Sequence, residues 1–150
     1  MNQVEILLAE DSDTDAEMTI RALRQKNLAN GLVRVHDGAE ALDFIFRRGE
    51  FADRPQGMPK LVLLDLNMPK VDGMEVLRQL KSSPESRTLP VVMLTSSAEE
   101  SDIAASYSLG VNSYVVKPVD FREFVDEVVK AGCYWLLVNR VPVGPATDIV

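Results

Sequence analysis

Short apolar segments alternate along the chain with longer segments in which apolar positions recur at helical spacing. Residues 4–9 (VEILLA) are mostly apolar on both faces, as expected of a strand buried in a parallel sheet. The segments predicted to be strands are 4–9, 31–36, 60–65, 89–96 and 111–117. The amphipathic segments predicted to be helices are 13–27, 37–49, 72–83, 98–110 and 120–138. Five strand–helix units in succession predict a doubly wound α/β fold, with helices on both faces of a parallel sheet.

The end of the last predicted helix is more apolar than one helix face requires. The face expected to pack on the core consists of Phe121, Phe124, Val125, Val128 and Val129. The segment CYWLLV (133–138) then adds six consecutive apolar or aromatic residues. We expect Tyr134, Trp135 and Leu136 to form a homodimer interface, because contiguous exposed apolar patches usually mark interaction sites. The alternative is that this segment folds back on its own domain. The pattern predicts one domain over 1–138 and a tail over 139–150.

Charge and composition exclude several classes of protein. The net charge of -7 and the pI near 4.7 argue against nucleic-acid binding, which needs a basic surface. No apolar run approaches the roughly 18 residues of a membrane span. The first residues, MNQVEILLAEDS, do not resemble a signal peptide, and the single Cys133 fits a reducing compartment. We therefore expect a cytoplasmic protein without membrane or nucleic-acid partners.

Polar side chains suited to chemistry stand at the ends of four predicted strands. Glu10 and Asp11 follow the first strand, Asp65 ends the third, Thr95 the fourth and Lys117 the fifth. The carboxyl ends of parallel strands meet at one edge, so these side chains should converge. Three carboxylates repel one another unless a cation joins Lys117 in offsetting their charge. Oxygen ligands suit Mg²⁺, which in turn binds phosphate oxygens. An aspartate in such a site can itself attack a phosphoryl group.

Four motifs at these strand ends resemble those of a known family. They are LLAEDS (7–12), LLDLNMPKVDG (63–73), LTSSA (94–98) and YVVKP (114–118). In this order and spacing they resemble the response-regulator receiver domain of two-component signalling, over about residues 4–135. The resemblance implies a flavodoxin-like sheet with strand order 2-1-3-4-5. It also implies phosphoryl transfer from a sensor histidine kinase, followed by switching of a protein-interaction surface.

The resemblance assigns a role to each acidic residue of the motifs. Asp65 would be the phosphoacceptor. Asp11 would be a direct Mg²⁺ ligand, together with Asp65 itself, and Glu10 would act through a water molecule. The backbone carbonyl of Asn67 would complete the ligand set. Mg²⁺ is thus the implied cofactor.

The resemblance also assigns the residues that respond to phosphorylation. The hydroxyl of Thr95 would move toward a phosphoryl oxygen, and Lys117 would pair with the acyl phosphate. Tyr114 would be the aromatic rotamer switch, although a tyrosine there could also be a plain strand former. The bond before Pro118 is usually cis in this family. The serine that follows two residues after Thr95, Ser97, is expected to cap the next helix.

Two segments depart from a minimal receiver domain. The connection at 47–60 is longer than the fold needs, and residues 134–150 extend past the last helix without forming an output domain. In both respects the chain is similar to the stand-alone regulators that partner bacterial phytochrome kinases. The resemblance therefore implies such a kinase as partner, with the signal leaving through protein contacts.

Two other functions are compatible with part of this residue pattern. An aspartate nucleophile on a doubly wound sheet also occurs in Mg²⁺-dependent phosphohydrolases that form an aspartyl-phosphate. Those enzymes usually carry a second aspartate two residues later, where this chain has Asn67. A receiver that binds partners without phosphorylation is the other alternative, and the intact residue set argues against it. We expect a signalling protein, with no enzymatic turnover beyond its own phosphorylation and dephosphorylation.

Overall fold

The observed sheet has the predicted order. The computed structural model describes residues 4–140. Its strands are β1 (Ile6–Ala9), β2 (Leu32–Val35), β3 (Leu61–Leu64), β4 (Val91–Thr95) and β5 (Ser113–Val116). Its α-helices are α1 (Asp13–Arg24), α2 (Gly38–Phe46), α3 (Gly73–Ser82), α4 (Glu100–Ser108) and α5 (Phe121–Cys133). All neighbouring strands pair in parallel in the order β2-β1-β3-β4-β5, which confirms the doubly wound, flavodoxin-like α/β fold.

Alternating side chains on the central strands build two separate cores. Leu7 and Leu64 point to the face covered by α2 and α3. Ile6 and Leu63 point to the opposite face, which α1 and α5 cover. All four are buried, so β1 and β3 have no solvent-facing side, as the unbroken apolar runs predict.

Four of the helices begin with a side-chain cap immediately after a loop at the carboxyl edge of the sheet. In each case the capping oxygen accepts a hydrogen bond from a backbone N–H three residues later. The capping residues are Ser12, Asp37, Asp72 and Asp120. The caps fix where each helix starts, and thereby where the first turn of α1 lies relative to the strand ends.

The last helix packs on α1 largely through the predicted face: Phe124 and Val128 are buried, and Val125 and Val129 are partly buried against the same core. Residues 124, 128, 132 and 136 are buried at a spacing of four. Gly132 makes close packing possible, because a Cβ at this position would lie 2.7 Å from a methyl carbon of Leu23. Phe121, which the sequence placed on this face, is 54% exposed because it is the first residue of α5 and precedes the packed turns.

The helix continues past Cys133 as a π-helical turn, Tyr134–Val138. This continuation keeps Leu136 on the buried face, where it packs with the core between the sheet and the α1–α5 layer. Leu136 is therefore part of the core of the protomer, which corrects its assignment to an interface. Trp135 is partly buried against the same core, whereas Tyr134, Leu137 and Val138 are exposed.

Three further expectations concern the ends of the chain and its backbone. Most of the predicted tail (139–150) lies outside the described residues, which stop at residue 140. Within 4–140 no peptide bond is cis, so the Lys117–Pro118 bond is trans and the family's usual cis form is not found here. No helix in the described part of the chain is long and apolar enough to cross a bilayer.

Candidate functional site

The predicted site residues come together at the carboxyl edge of the sheet. Backbone hydrogen bonds extend the strand pairing into this edge: Asp65 N–H donates to the carbonyl of Ala9 at 3.0 Å, and Lys117 N–H donates to the carbonyl of Thr95 at 2.7 Å. The ends of β1, β3, β4 and β5 are thus held side by side. The convergence expected from the order of the motifs is present.

Three carboxylates form the centre of the site. Oxygens of Glu10, Asp11 and Asp65 all lie within 4.8 Å of one another. Glu10 and Asp65 are buried, Asp65 being 8% exposed, while Asp11 opens to solvent. Such an arrangement fits a divalent cation that keeps part of its water shell, because hard cations prefer carboxylate oxygens. Asn67, the other predicted ligand residue, is exposed beside the site, and its N–H lies 3.4 Å from Asp65 Oδ1.

The loop after Asp65 is held tightly against the start of α3. The N–H of Gly73 donates to the carbonyl of Leu66 at 2.8 Å. A Cβ on Gly73 would lie 2.2 Å from the carbonyl oxygen of Asp65, so no larger residue fits there without moving the backbone. Asp65 is in this way fixed by packing on both sides, as a precisely placed reacting group requires.

Lys117 reaches into the carboxylate cluster and is 9% exposed. Its Nζ lies 2.6 Å from Glu10 Oε1, 2.8 Å from Asp15 Oδ2 and 3.5 Å from Asp65 Oδ2. Burial alone would lower the pKa of Lys117, but the hydrogen bonds to Asp15 and Glu10 and the charges of the neighbouring carboxylates outweigh it and raise this pKa. Lys117 therefore remains a full positive charge at neutral pH.

For the Glu10 carboxyl, in contrast, the surroundings disfavour the charged form. Burial, together with its hydrogen bond to Asp65, raises its pKa from 4.5 to about 7, and the contact with Lys117 offsets only part of this rise. Its second oxygen accepts a hydrogen bond from the N–H of Ser12 at 3.2 Å. The single positive charge of Lys117 does not neutralise the several carboxylates around it, so a bound cation would lower the repulsion that remains.

Sequence reasoning missed two residues of this site. Asp15, which contacts Lys117, is not among the candidate residues identified from the sequence. The available signal was that α1 begins within three residues of Glu10, so its first turn must face the same edge. Arg34 donates from Nε and Nη2 to the backbone carbonyl of Glu10 at 2.9 and 2.7 Å, and it pairs with Asp13. No pattern in the sequence marked Arg34.

Thr95 and Tyr114 are connected through the loop that follows β4. Thr95 is fully buried, and its hydroxyl oxygen lies 3.3 Å from the N–H of Ser97. The hydroxyl of Tyr114 donates to the carbonyl of Ser97 at 2.9 Å. Ser97 also donates from Oγ to Asp102 of α4 at 2.6 Å, and its Oγ accepts from the N–H of Glu99 at 3.4 Å. The residue at the N-cap of α4 is Glu99, and no side chain caps this helix, so the expected capping role of Ser97 is wrong. A movement of this loop would therefore change the hydrogen bonds of Thr95, Tyr114 and α4 together.

Comparisons with known proteins agree with this geometry. The sequence profile of the response regulator receiver domain matches residues 6–129. The chain is 38% identical to the response regulator Rcp1 of Synechocystis over 137 residues, which is 91% of this chain and 92% of that protein. The crystal structure of the Mn(2+)-bound form of Rcp1 has a TM-score of 0.86, with 37% identity and coverage of 95% of this chain and all of that one.

Two other solved structures are similar over comparable lengths. The phosphorylated cyanobacterial phytochrome response regulator RcpA has a TM-score of 0.87 and 37% identity, covering 95% of this chain and 100% of that chain. The bacteriophytochrome response regulator RtBRR has a TM-score of 0.76 and 50% identity, covering 96% of this chain and 87% of that one. Fold, motifs and relatives agree over nearly the whole chain, which therefore belongs to the family of response regulator receiver domains, the phosphoryl-accepting proteins of two-component signalling.

Proposed function

We propose that Asp65 is the residue that accepts the phosphoryl group, from a phosphohistidine of a sensor histidine kinase. The observation that carries this proposal is the position of Asp65: a buried carboxylate at the end of a central strand, close to Lys117 and two further carboxylates. An oxygen of Asp65 attacks the phosphorus, the phosphorus–nitrogen bond breaks, and the electron pair remains on the imidazole nitrogen. Lys117 would offset the charge of the transferred group, and the hydroxyl of Thr95 would turn to donate to one of its oxygens.

The proposed cofactor is Mg²⁺. Asp11, Asp65 and the backbone carbonyl of Asn67 would hold it directly, and Glu10 would hold it through water. Support comes from the three convergent carboxylates, of which only Asp11 is exposed. When bound, the cation neutralises charge on the carboxylates and on the phosphoryl oxygens. Asn67 stands two residues after Asp65 and cannot exchange a proton at neutral pH, which favours signalling over the hydrolysis of small phosphoesters.

The test is labelling by acetyl phosphate, followed by the mass of the intact protein. Wild type should gain one phosphoryl group, and only when Mg²⁺ is present. Asp65→Asn should gain none while keeping its circular dichroism spectrum, because only the attacking oxygen is replaced. Asp72→Asn is the matched control: it changes an exposed carboxylate of the same loop and should be labelled like wild type. Labelling of Asp65→Asn at the wild-type rate would refute the assignment.

The proposed switch links Thr95 to Tyr114 through the Ser97 loop. When the Thr95 hydroxyl turns toward the phosphoryl group, the loop and the Tyr114–Ser97 hydrogen bond should shift with it. Thr95→Ala should still be phosphorylated, because the nucleophile and the cation ligands remain. Its hydrogen exchange over residues 98–117 should no longer change on phosphorylation. An exchange response equal to that of wild type would show that Thr95 does not couple the site to this surface.

We further propose a bacterial phytochrome kinase as the phosphoryl donor, in the cytoplasm. Support comes from the names of the similar structures, among which RcpA and RtBRR are described as phytochrome response regulators. The long connection at 47–60 and the extension at 134–150 are the two features by which the sequence resembles the regulators of such kinases. Phosphotransfer from a purified bacteriophytochrome kinase should be faster than from a histidine kinase of another sensor class. Equal transfer rates from both would remove the support for this partner.

The proposed homodimer interface differs from the one expected from the sequence, because it omits Leu136 and includes Leu137 and Val138. Tyr134, Leu137 and Val138 are exposed and close together on the last helical turn, and Trp135 lies edge to face against the ring of Tyr134. Leu136 is excluded because it lies in the core of the protomer. Leu137→Ser with Val138→Ser should shift sedimentation at micromolar concentration from dimer to monomer. Wild type that sediments as a monomer at these concentrations, phosphorylated or not, would refute the dimer.

A further inference from the structure

Lys117 has a contact that the proposed phosphotransfer does not use. Its ammonium group has three N–H donors and three carboxylate neighbours. Two of the contacts are short, 2.6 Å to Glu10 and 2.8 Å to Asp15, and the third, to Asp65, is 3.5 Å. The amine therefore lies on the α1 side of the site, closer to Glu10 and Asp15 than to Asp65.

Asp15 differs from the other two carboxylates in its surroundings. It sits in the first turn of α1, where its N–H is capped by Ser12 at 3.2 Å and where the helix dipole favours a negative charge. Its side chain is 33% exposed, so it approaches Lys117 from the rim, while Glu10 is enclosed beneath. Asp15 does not belong to the carboxylate cluster suited to a cation, which consists of Glu10, Asp11 and Asp65.

We infer that Asp15 is a positioning residue that restrains Lys117: it holds the ammonium group toward α1 until a phosphoryl group on Asp65 draws it across. This inference rests on the proposed role of Asp65. The new phosphoryl oxygens must compete with Asp15 for one of the three donors of Lys117. The strength of the Asp15 contact thereby sets how readily the phosphorylated state forms.

The sign of the expected change in phosphorylation rate distinguishes this restraint from a purely structural role of Asp15. Without Asp15, Lys117 is free to move toward Asp65, and the incoming anionic donor meets one negative charge fewer. Loss of Asp15 should therefore make phosphorylation faster and binding of a phosphoryl mimic tighter. Damage to the fold or to the placement of Lys117 would have the opposite effect on both quantities.

The experiment compares Asp15→Asn with wild type and with a matched control, Asp13→Asn. Asp13 lies in the same turn of α1 and carries the same charge, but its carboxylate contacts Arg34 and not Lys117. The rate of labelling by acetyl phosphate is measured at saturating Mg²⁺, and the affinity for beryllium trifluoride is measured alongside. We expect Asp15→Asn to be labelled about three- to tenfold faster, the change that follows from loss of one partly exposed ion pair. Asp13→Asn should change the rate less than about twofold, since its charge is screened by water.

Two further arms separate the direct contact from long-range charge. Asp15→Glu retains a carboxylate within reach of Lys117 and should return the rate toward that of wild type. The gain in Asp15→Asn should persist at high salt, because the Lys117 contact is mostly enclosed and salt screens it weakly. The same fold-increase in beryllium trifluoride affinity should accompany the gain in rate.

The outcomes are distinct for each hypothesis. A rate for Asp15→Asn equal to or below that of wild type would overturn the restraint. Equal gains in Asp15→Asn and Asp13→Asn would also overturn it, because they would show an effect of net charge alone. If wild type itself gains no phosphoryl group, the assignment of Asp65 fails, and beryllium trifluoride binding still reports whether Asp15 opposes an anion at this site.

Discussion

Lys117 is surrounded by carboxylates at the carboxyl edge of the sheet, whereas Arg54 and Lys81 are surrounded by neutral oxygens at the opposite edge. The ammonium group of Lys81 donates to the backbone carbonyls of Arg87 and Leu89 at 3.2 and 2.8 Å, and to the side-chain oxygen of Asn112 at 2.9 Å. These contacts join the end of α3 to the chain just before β4 and β5.

Arg54 likewise joins the end of a helix to the following chain, here the long connection between α2 and β3. Its guanidinium group donates to the carbonyls of Phe44 and Ile45 in the last turn of α2, at 2.6 and 3.2 Å. It also donates to the carbonyls of Pro55 and Gly57 in the loop itself and stacks over the Phe44 ring at 4.3 Å. One side chain thus connects the second half of the 47–60 connection to the end of α2.

The pKa values of the two lysines show the consequence. Burial among neutral oxygens lowers the pKa of Lys81 to about 8, while the carboxylates around Lys117 raise its pKa despite similar burial. At the amino ends of the strands (the amino edge), cations donate hydrogen bonds to backbone carbonyls and thereby stabilise the fold. At the carboxyl edge, carboxylates outnumber cations, and the excess negative charge is available for a metal ion. The comparison indicates that stability and function are located at opposite ends of the same strands.

Removal of Arg54 is the strongest test of the amino edge. Arg54→Ala should lower the free energy of unfolding by about 3 kcal/mol, because it leaves two helix-end carbonyls and two loop carbonyls without their charged donor. Denaturant unfolding measures this change. Arg48→Ala is the control: Arg48 is an exposed neighbour whose ion pair with Asp43 is 3.6 Å long, and its loss should cost less than about 1 kcal/mol. Similar losses in both variants, or slower phosphorylation of Arg54→Ala, would break the separation of the two edges.

A change at Asp11 should shift the free energy of unfolding in the opposite direction to Arg54→Ala. Asp11→Asn removes one of three mutually repelling carboxylates, so it should raise the free energy of unfolding without metal by about 1 kcal/mol or less. It should also remove most of the stabilisation that Mg²⁺ gives wild type, because a cation stabilises only the state that binds it. Thermal melts with and without Mg²⁺ measure both effects. An unchanged Mg²⁺ shift in this variant would show that Asp11 is not a ligand.

The pH dependence of Lys81 should give the smallest effect. Its pKa is about 8 in the folded chain and 10.5 in the unfolded chain, so between these values the unfolded chain retains a proton that the folded chain has lost. The free energy of unfolding should then rise with pH in this window, by about 1 kcal/mol after allowance for the partial exposure of the amine. The difference between wild type and Lys81→Met, which cannot titrate, isolates the effect. A decrease with pH, between pH 8 and pH 10, in the free energy of unfolding of wild type relative to Lys81→Met would contradict this expectation.

Apolar runs predicted the strands because they are local signals, and the resemblance of the strand-end motifs to receiver domains supplied the strand order and the candidate site residues. Asp15 and Arg54 could not be identified in this way. Arg54 acts through backbone oxygens, and such contacts leave no pattern in the sequence. Asp15 acts through Lys117, which is distant in the chain, and the only local signal for it was the start of α1 close to Glu10. Leu136 was wrongly placed for a related reason: counting apolar residues after Cys133 does not reveal which of them a π-helical turn keeps on the buried face.

The most direct test of the account is to identify the residue that carries the phosphoryl group. Borohydride reduces an aspartyl phosphate to homoserine, so wild type labelled with acetyl phosphate and Mg²⁺ can be reduced, digested and sequenced by mass spectrometry. We predict homoserine at position 65 and only in the sample that contained Mg²⁺. Homoserine at Asp11 or at any other position in the labelled protein, with aspartate retained at 65, would contradict the assignment of Asp65.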